Sequence, residues 1–190
     1  MRNFHAFTIK HNGRARRIIT EILVAKAFDP AKHDPNNFEH RPFKALWDTG
    51  ATGSVITPGI VADLGLRPTG QMQIQHAGGA SMNLTYMVNI GLPNSVKIVG
   101  LLVSECAAIA NEFDAIIGMD IINMGDLSIT NADGSTTMSY RLPSVDMIDY
   151  VEVADRLRYA GVGRNDPCPC GQLNMSGKPV KFKNCHGRKA

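Results

Sequence analysis

From residue 81 to residue 92 the chain alternates without a break. Met82, Leu84, Tyr86, Val88, Ile90 and Leu92 are interleaved with Ser81, Asn83, Thr85, Met87, Asn89 and Gly91. Successive side chains of an extended chain point to opposite faces, so a strict period of two predicts a long, half-buried strand and excludes a helix here. Upstream, Met72, Ile74 and His76 alternate too, and Gly78-Gly79 lies between the two runs. The pair is expected to form a β-hairpin with a flexible glycine tip.

Other segments repeat the strand signal. Phe4, Ala6 and Ile9 mark a first strand, and Asn12-Gly13 after it is a two-residue hairpin signal because both residues tolerate positive φ. RRIITEILVAKAF is rich in β-branched residues. Pro30, Pro35 and Pro42 make residues 29–42 a predicted loop. VKIVGLLVSE reads as a strand, and LSITNADGSTTMSYRL as a second hairpin turning near Asp133-Gly134. Thr57-Pro58 predicts a short helix with Thr57 as its N-cap and Gly65 as its stop. Only Asp146–Ala160 changes period. There Met147, Ile148, Val151, Ala154 and Leu157 recur every three or four residues, an amphipathic helix. Strands at this density predict an all-β, barrel-like body.

Composition narrows the class. No apolar run approaches the roughly 20 residues that cross a bilayer, and MRNFHAFTIK lacks the apolar core of a signal peptide. A cytoplasmic protein with no membrane contact is expected. Charge is uneven. Residues 46–160 carry five Lys/Arg against twelve Asp/Glu, and residues 161–190 carry six against one. A basic tail behind an acidic body suits an anionic partner as well as a solvated face. Cys106 lies in the apolar run GLLVSECAAIA and reads as a buried thiol.

Between two of the strands lies LWDTGATGSVIT, residues 46–57. An apolar strand runs into Asp48, then a turn of small residues, then apolar residues again. This sets one carboxylate at a strand end. A lone Asp-Thr-Gly is a weak signal, because aspartate in a glycine turn often only caps its own backbone. Here it is followed in order by the glycine-tipped hairpin, by Ile116-Ile117-Gly118 after a strand, and by a short helix.

Over roughly residues 4–143 that order resembles the retropepsin-like aspartic proteases, most of all the single-domain members. The resemblance implies a retropepsin-like acid protease barrel that forms a homodimer. It implies that Asp48 is the catalytic carboxylate and that Thr49 braces the two turns across the dimer axis. Gly50 would let the backbones approach, and Gly78 and Gly79 would be the flap tip that closes over a peptide substrate. Ile116, Ile117 and Gly118 would pack beneath the turn, and Asp120 would cap the helix after it. Aspartic protease chemistry needs two carboxylates sharing one proton. The chain holds one Asp-Thr-Gly, so the second carboxylate would come from a second copy.

The last thirty residues, GVGRNDPCPCGQLNMSGKPVKFKNCHGRKA, hold three of the four cysteines. Cys168, Cys170, Cys185 and His186 form a Cys₃His set suited to closed, tetrahedral zinc. So short a segment buries little apolar surface, and metal binding would supply its stability. A disulfide is the alternative, less suited to the cytosol. GRNDPCPCG…CHG closely resembles the SEC-C zinc motif at the C-terminus of the SecA translocation ATPase. Fourteen residues separate Cys170 from Cys185, several more than usual, with LNMSGKP as the apparent insertion. The resemblance implies a docking module for protein, ribosome or nucleic acid. With Phe182 as its one aromatic, the tail lacks a base-stacking platform, which favours a protein or ribosome partner.

The expected organisation is a protease domain over residues 1–145, a helical connector over 146–163 and the zinc motif over 164–190. The expected activity is an aspartic endopeptidase whose only metal is structural zinc. The alternatives are a non-catalytic peptide-binding or adaptor module on the same fold, and a body that only dimerises the tail.

Overall fold

A computed structural model describes residues 4–28, 31–33, 39–76, 79–93, 95–106 and 112–189. The chain divides into two compact units, Met1–Val145 and Asp146–Ala190.

Among the described residues, ten strands, two short α-helices and a 3-10 turn at Ala132–Gly134 build the first unit. The strands are β1 (His5–Lys10), β2 (Ile19–Lys26), β3 (Arg41–Trp47), β4 (Val55–Ile56), β5 (Gly70–His76), β6 (Gly79–Gly91), β7 (Lys97–Glu105), β8 (Ala115–Ile117), β9 (Asp126–Thr130) and β10 (Thr137–Leu142). Helix α1 (Pro58–Leu64) follows β4, and α2 (Met119–Ile122) follows β8. Seven strands form one sheet in the order β2-β3-β8-β4-β7-β6-β5, and β2 also pairs with β6. That extra pairing closes the sheet on itself into a barrel and leaves β5 as an extension. The other three strands form a separate antiparallel sheet, β1-β10-β9.

Alternating apolar residues fill the barrel. Ile22, Val24, Ile56, Val88, Ile90, Val103 and Ile117 are almost fully buried. Phe7, Trp47 and Tyr140 meet where the small sheet covers the barrel, with Trp47 and Tyr140 ring centroids 4.9 Å apart and Phe7 and Trp47 5.8 Å apart. Both polar aromatics are satisfied. The Tyr140 hydroxyl donates to the Ile121 carbonyl at 2.6 Å, and burial pushes its pKa up to about 12. The Trp47 indole N–H donates to Thr20 Oγ1 at 3.0 Å. Thr20→Val keeps the shape but strands that buried donor, a loss of about 1–3 kcal/mol. A lower denaturant midpoint with an unchanged slope checks it.

The expected all-β barrel, the β5–β6 hairpin and the hairpin of β9 and β10 are present. In β5–β6 the register runs from Gly70 against Thr85 to His76 against Gly79. Gly78, expected at the tip, lies outside the described residues. Gly79 is described, and its φ of +122° suits glycine. Toward the tip the apolar face is bare, with Met82 64% exposed.

Several local expectations fail. Asn12-Gly13 does not turn a hairpin. β1 pairs with β10 and β2 with β3. His11 N–H donates to the Thr136 carbonyl, Thr136 N–H to the Gly13 carbonyl and Ala15 N–H to Thr136 Oγ1, so residues 11–15 are held against Thr136. The loop expected over 29–42 ends earlier, because Pro42 is the second residue of β3, opposite Leu23. Proline is tolerated near a strand's start. Pro30 and Pro35 lie outside the described residues. Helix α1 begins and stops as expected, with Gly65 left-handed at φ +55°, but the Thr57 side chain makes no cap. Cys106 is half-buried, since it follows the last residue of β7 rather than lying within it.

The second unit begins with α3 (Tyr150–Arg158). Asp149 is its N-cap, accepting from the Val151 and Glu152 amides. The helix therefore starts later than the apolar spacing suggests, and Met147 and Ile148 precede it. No residue of α3 is buried. Among the described residues no helix is long and apolar enough to cross a membrane.

Candidate functional site

Asp48 follows directly on β3, and its place is set by β8. The two strands run parallel, with Leu46 beside Ile116 and Trp47 beside Ile117. Both therefore end at the same level, one into Asp-Thr-Gly and the other into Gly118. Asp48 N–H donates to the Ile117 carbonyl at 3.0 Å, and Met119 N–H donates to the Ala51 carbonyl at 2.8 Å. Gly50 N–H donates to Asp48 Oδ1 at 2.8 Å, and Ala51 N–H to the Asp48 carbonyl at 3.2 Å. The carboxylate is thus oriented by its own turn. It is half-buried, while Thr49 and Gly50 are exposed.

The neighbouring glycine is required by space. A Cβ at Gly118 would lie 2.5 Å from the Gly53 carbonyl carbon and 2.6 Å from its oxygen. Gly118→Ala must push the turn away from β8. The expected cost is about 1–3 kcal/mol, read as a drop in thermal midpoint.

A second set of bonds lies behind the turn. Asp120 Oδ2 accepts from Ser54 N–H at 2.8 Å, and Asp120 Oδ1 accepts from the Ser54 hydroxyl at 2.7 Å. Ser54 Oγ in turn accepts from Gly118 N–H at 3.1 Å. Asp120 Oδ1 also takes the Ile121 amide at 2.9 Å. The expectation that Asp120 caps α2 is corrected. Gly118 is the N-cap residue, and Asp120, the second residue of the helix, spends its carboxylate chiefly on Ser54. Sequence reasoning missed Ser54 altogether, because a serine opening a strand carries no spacing signal.

The structure brings the four tail ligands together. The donor atoms of Cys168, Cys170, Cys185 and His186 all lie within 4.8 Å of one another. Cys170 Sγ is 3.6 Å from Cys185 Sγ, and His186 Nδ1 is 3.3 Å from the sulfurs of Cys168 and Cys185. Tetrahedral zinc with Zn–S near 2.3 Å would space its sulfurs by roughly 3.8 Å, so the set fits the ion. The insertion does not disturb it. Asn174 and Lys178 are joined by the Asn174 N–H bond to the Lys178 carbonyl, and Gly177 N–H donates back to the Asn174 carbonyl. Gly177 takes φ +72°, and the extra residues leave the core as a tight turn. Cys168 N–H donates to the Val180 carbonyl just past that turn.

Burial pushes the Cys168 thiol up. Hydrogen bonds from the Cys170 and His186 backbone and from the His186 ring outweigh it and bring the pKa down to about 6. Burial and the adjacent Cys170 and Cys168 sulfurs push Cys185 up to about 11. Only a cation in their midst would let the sulfurs ionise together. Tyr159, just past α3, stacks on the His186 ring with centroids 4.9 Å apart and lies 5.3 Å from Phe182. Nothing in the spacing of the sequence marked Tyr159 for this role.

A closed barrel whose parallel strand ends carry Asp-Thr-Gly and Ile-Ile-Gly is the arrangement found in aspartic proteases, and the second unit carries the Cys₃His cluster. Residues 36–124 match the family described as gag-polyprotein putative aspartyl protease. The chain resembles the retropepsin-like aspartic proteases.

Among solved structures, it is similar to a retropepsin-like aspartic protease from Rickettsia conorii at 13% identity and a TM-score of 0.46. That likeness covers 75% of this chain and 98% of the other. EIAV protease in complex with the inhibitor HBY-793 is similar at 25% identity and a TM-score of 0.40, covering 56% of this chain and 86% of that one.

Among curated proteins, the SecA translocase subunit of a Nocardioides species is 49% identical over 57 residues, 28% of this chain. That of Bacteroides fragilis is 74% identical over 27 residues, 14% of this chain. The chain spans 5% of the first and 2% of the second. This likeness and the Cys₃His cluster fit the SEC-C zinc motif.

Proposed function

We propose that the protein is an aspartic endopeptidase that works as a homodimer in the cytoplasm. The observation that carries this reading is the Asp48 turn. A half-buried carboxylate sits at a strand end with one oxygen held by Gly50 N–H, and no partner for the other is found among the described residues. A turn that only capped its own backbone would not need four further bonds to fix it against β8 and α2.

In the dimer, Asp48 and its symmetry mate lie on the two-fold axis. Two carboxylates so close cannot both ionise easily, and they hold one proton between them. The ionised one takes a proton from a water between them. That water attacks the scissile carbonyl carbon while the protonated one donates to the carbonyl oxygen. Collapse of the tetrahedral intermediate expels the amine, which leaves with a proton from the pair, and no acyl-enzyme forms. Thr49 braces one turn against the other across the axis, and Gly50 leaves space for that approach. The β5–β6 hairpin, with Gly78 and Gly79 at its end, closes over the peptide.

The proposed domains are a protease domain (1–145), a connector (146–163) and a zinc motif (164–190). Zn²⁺ is held by Cys168, Cys170, Cys185 and His186, and its role is structural, with none in catalysis. The basic tail docks the protease on a protein or ribosomal partner. The reading is tested by offering a peptide library to the full-length protein. Cleavage that a statine-type inhibitor blocks supports it. Peptide binding without cleavage makes the protein a non-catalytic adaptor, and loss of all function on deleting residues 161–190 would make the tail the active part.

A further inference from the structure

The bonds behind the turn converge on one half-buried carboxylate, that of Asp120. We infer that Asp120 is a positioning residue, which sets the Asp48 turn through Ser54. The inference rests on the proposed peptidase activity only for its kinetic readout.

Ser54 is 3% exposed, yet its amide and its hydroxyl both donate to Asp120. Its oxygen also accepts from Gly118 N–H. One side chain thus joins three separate pieces: the descending arm of the turn, the residue after β8, and the first turn of α2. The Asp48 turn has two arms. The arm entering it is held by the parallel pairing of β3 with β8. The arm leaving it, Thr52 and Gly53, has no strand partner until β4 begins at Val55. Backbone bonds from Met119 N–H to the Ala51 carbonyl and from Ser104 N–H to the Ser54 carbonyl hold this arm at its two ends, and Asp120 adds the side-chain anchor at Ser54.

Three donors converge on the Asp120 carboxylate, two from Ser54 and one from Ile121, and hydrogen bonds to an ionised acceptor are roughly twice as strong as neutral ones. The hydroxyl cannot be replaced by a methyl group without cost on both sides. Ser54→Ala would leave Gly118 N–H without its acceptor in a buried place and would take one of three donors from Asp120. The turn would then relax along its leaving arm. A displacement of about 1 Å at a reacting group can cost 10²-fold in rate.

The experiment compares wild type, Ser54→Ala, Ser54→Thr and Asp120→Ala in the full-length protein. Met138→Ala, a fully buried residue of the other sheet, serves as a destabilised control. Two quantities are read: kcat and KM on a cleaved peptide, and hydrogen exchange at the Asp48 and Met119 amides. Ser54→Ala and Asp120→Ala are expected to lower kcat about 100-fold with little change in KM. They are also expected to speed exchange at both amides at least about tenfold, as a lost anchor opens the turn locally. Ser54→Thr, which keeps the hydroxyl, is expected to restore both. Met138→Ala is expected to leave both near wild type at a similar loss of thermal midpoint.

Wild-type exchange at the two amides in Ser54→Ala and Asp120→Ala overturns the inference. So does equal acceleration in Met138→Ala, which would make the effect one of general stability. If the wild-type protein cleaves no peptide, the proposed activity fails. The exchange comparison then still decides whether Asp120 holds the turn.

Discussion

Replacing Asp48 with asparagine is expected to abolish peptide cleavage while leaving the protein folded. Asparagine has the same shape and its carbonyl oxygen can still accept from Gly50 N–H, so the turn keeps its internal bond. It cannot take a proton from water or hand one to a carbonyl. Positioned proton transfer contributes about 10²–10⁴-fold. Two such groups act in concert in the proposed mechanism, so a loss of at least about 10⁴-fold in kcat is expected, with far-ultraviolet dichroism and thermal midpoint near wild type. Both copies change together in a homodimer, and no ionised partner remains to compensate. Cleavage of the same peptides by Asp48→Asn at a wild-type rate would remove Asp48 from the mechanism.

The second large effect concerns the tail. Removing zinc, or replacing Cys168 and Cys185 together with serine, is expected to unfold residues 164–190 and spare the barrel. The motif has few other means of support. Among its described residues Cys168 is the one buried hydrophobic residue, and Leu173 and Met175 are exposed. Structural zinc in small domains supplies about 10–16 kcal/mol at neutral pH, far more than the ring contacts of Tyr159 with His186 and Phe182 can replace. Native mass spectrometry is expected to find one zinc per chain in the wild type and none in the double variant. Amide signals from Cys168 to His186 should collapse to unfolded positions. Affinity should fall on acidification, because protons compete for the thiolates and for the His186 ring. Activity on short peptides is expected to survive the loss of the tail. Intact zinc content in the double variant would refute the ligand set.

Much of this architecture was visible in the residues because one face of each strand is buried. The period of two over residues 81–92 gave β6 and, by its partner run, the β5–β6 hairpin. The same alternation could not say how far the burial extends. Met82 carries the pattern of a core residue and is largely exposed, since the hairpin projects beyond the barrel. Long-range pairing was hidden for a related reason. Asn12-Gly13 has the local chemistry of a hairpin turn, but β1 gains more by pairing with β10 and covering Trp47. No local signal reports a partner 130 residues away. In the site, Asp48 and Gly118 stood out by residue type, as did the four metal ligands. Ser54 and Tyr159 did not, because their roles exist only when distant segments meet.

The pairing of β1 with β10 inside a single chain bears on how this molecule would assemble. Each protomer completes both of its sheets alone, so no strand must be traded before a barrel can close. In the proposed homodimer, folding would then be a first-order event and association a later, second-order one. Dilution would separate two folded bodies and silence a shared active site without unfolding either. Control over cellular concentration, or gathering of protomers at a docking place by their tails, would act as a switch on catalysis while the pool of folded protein stayed intact.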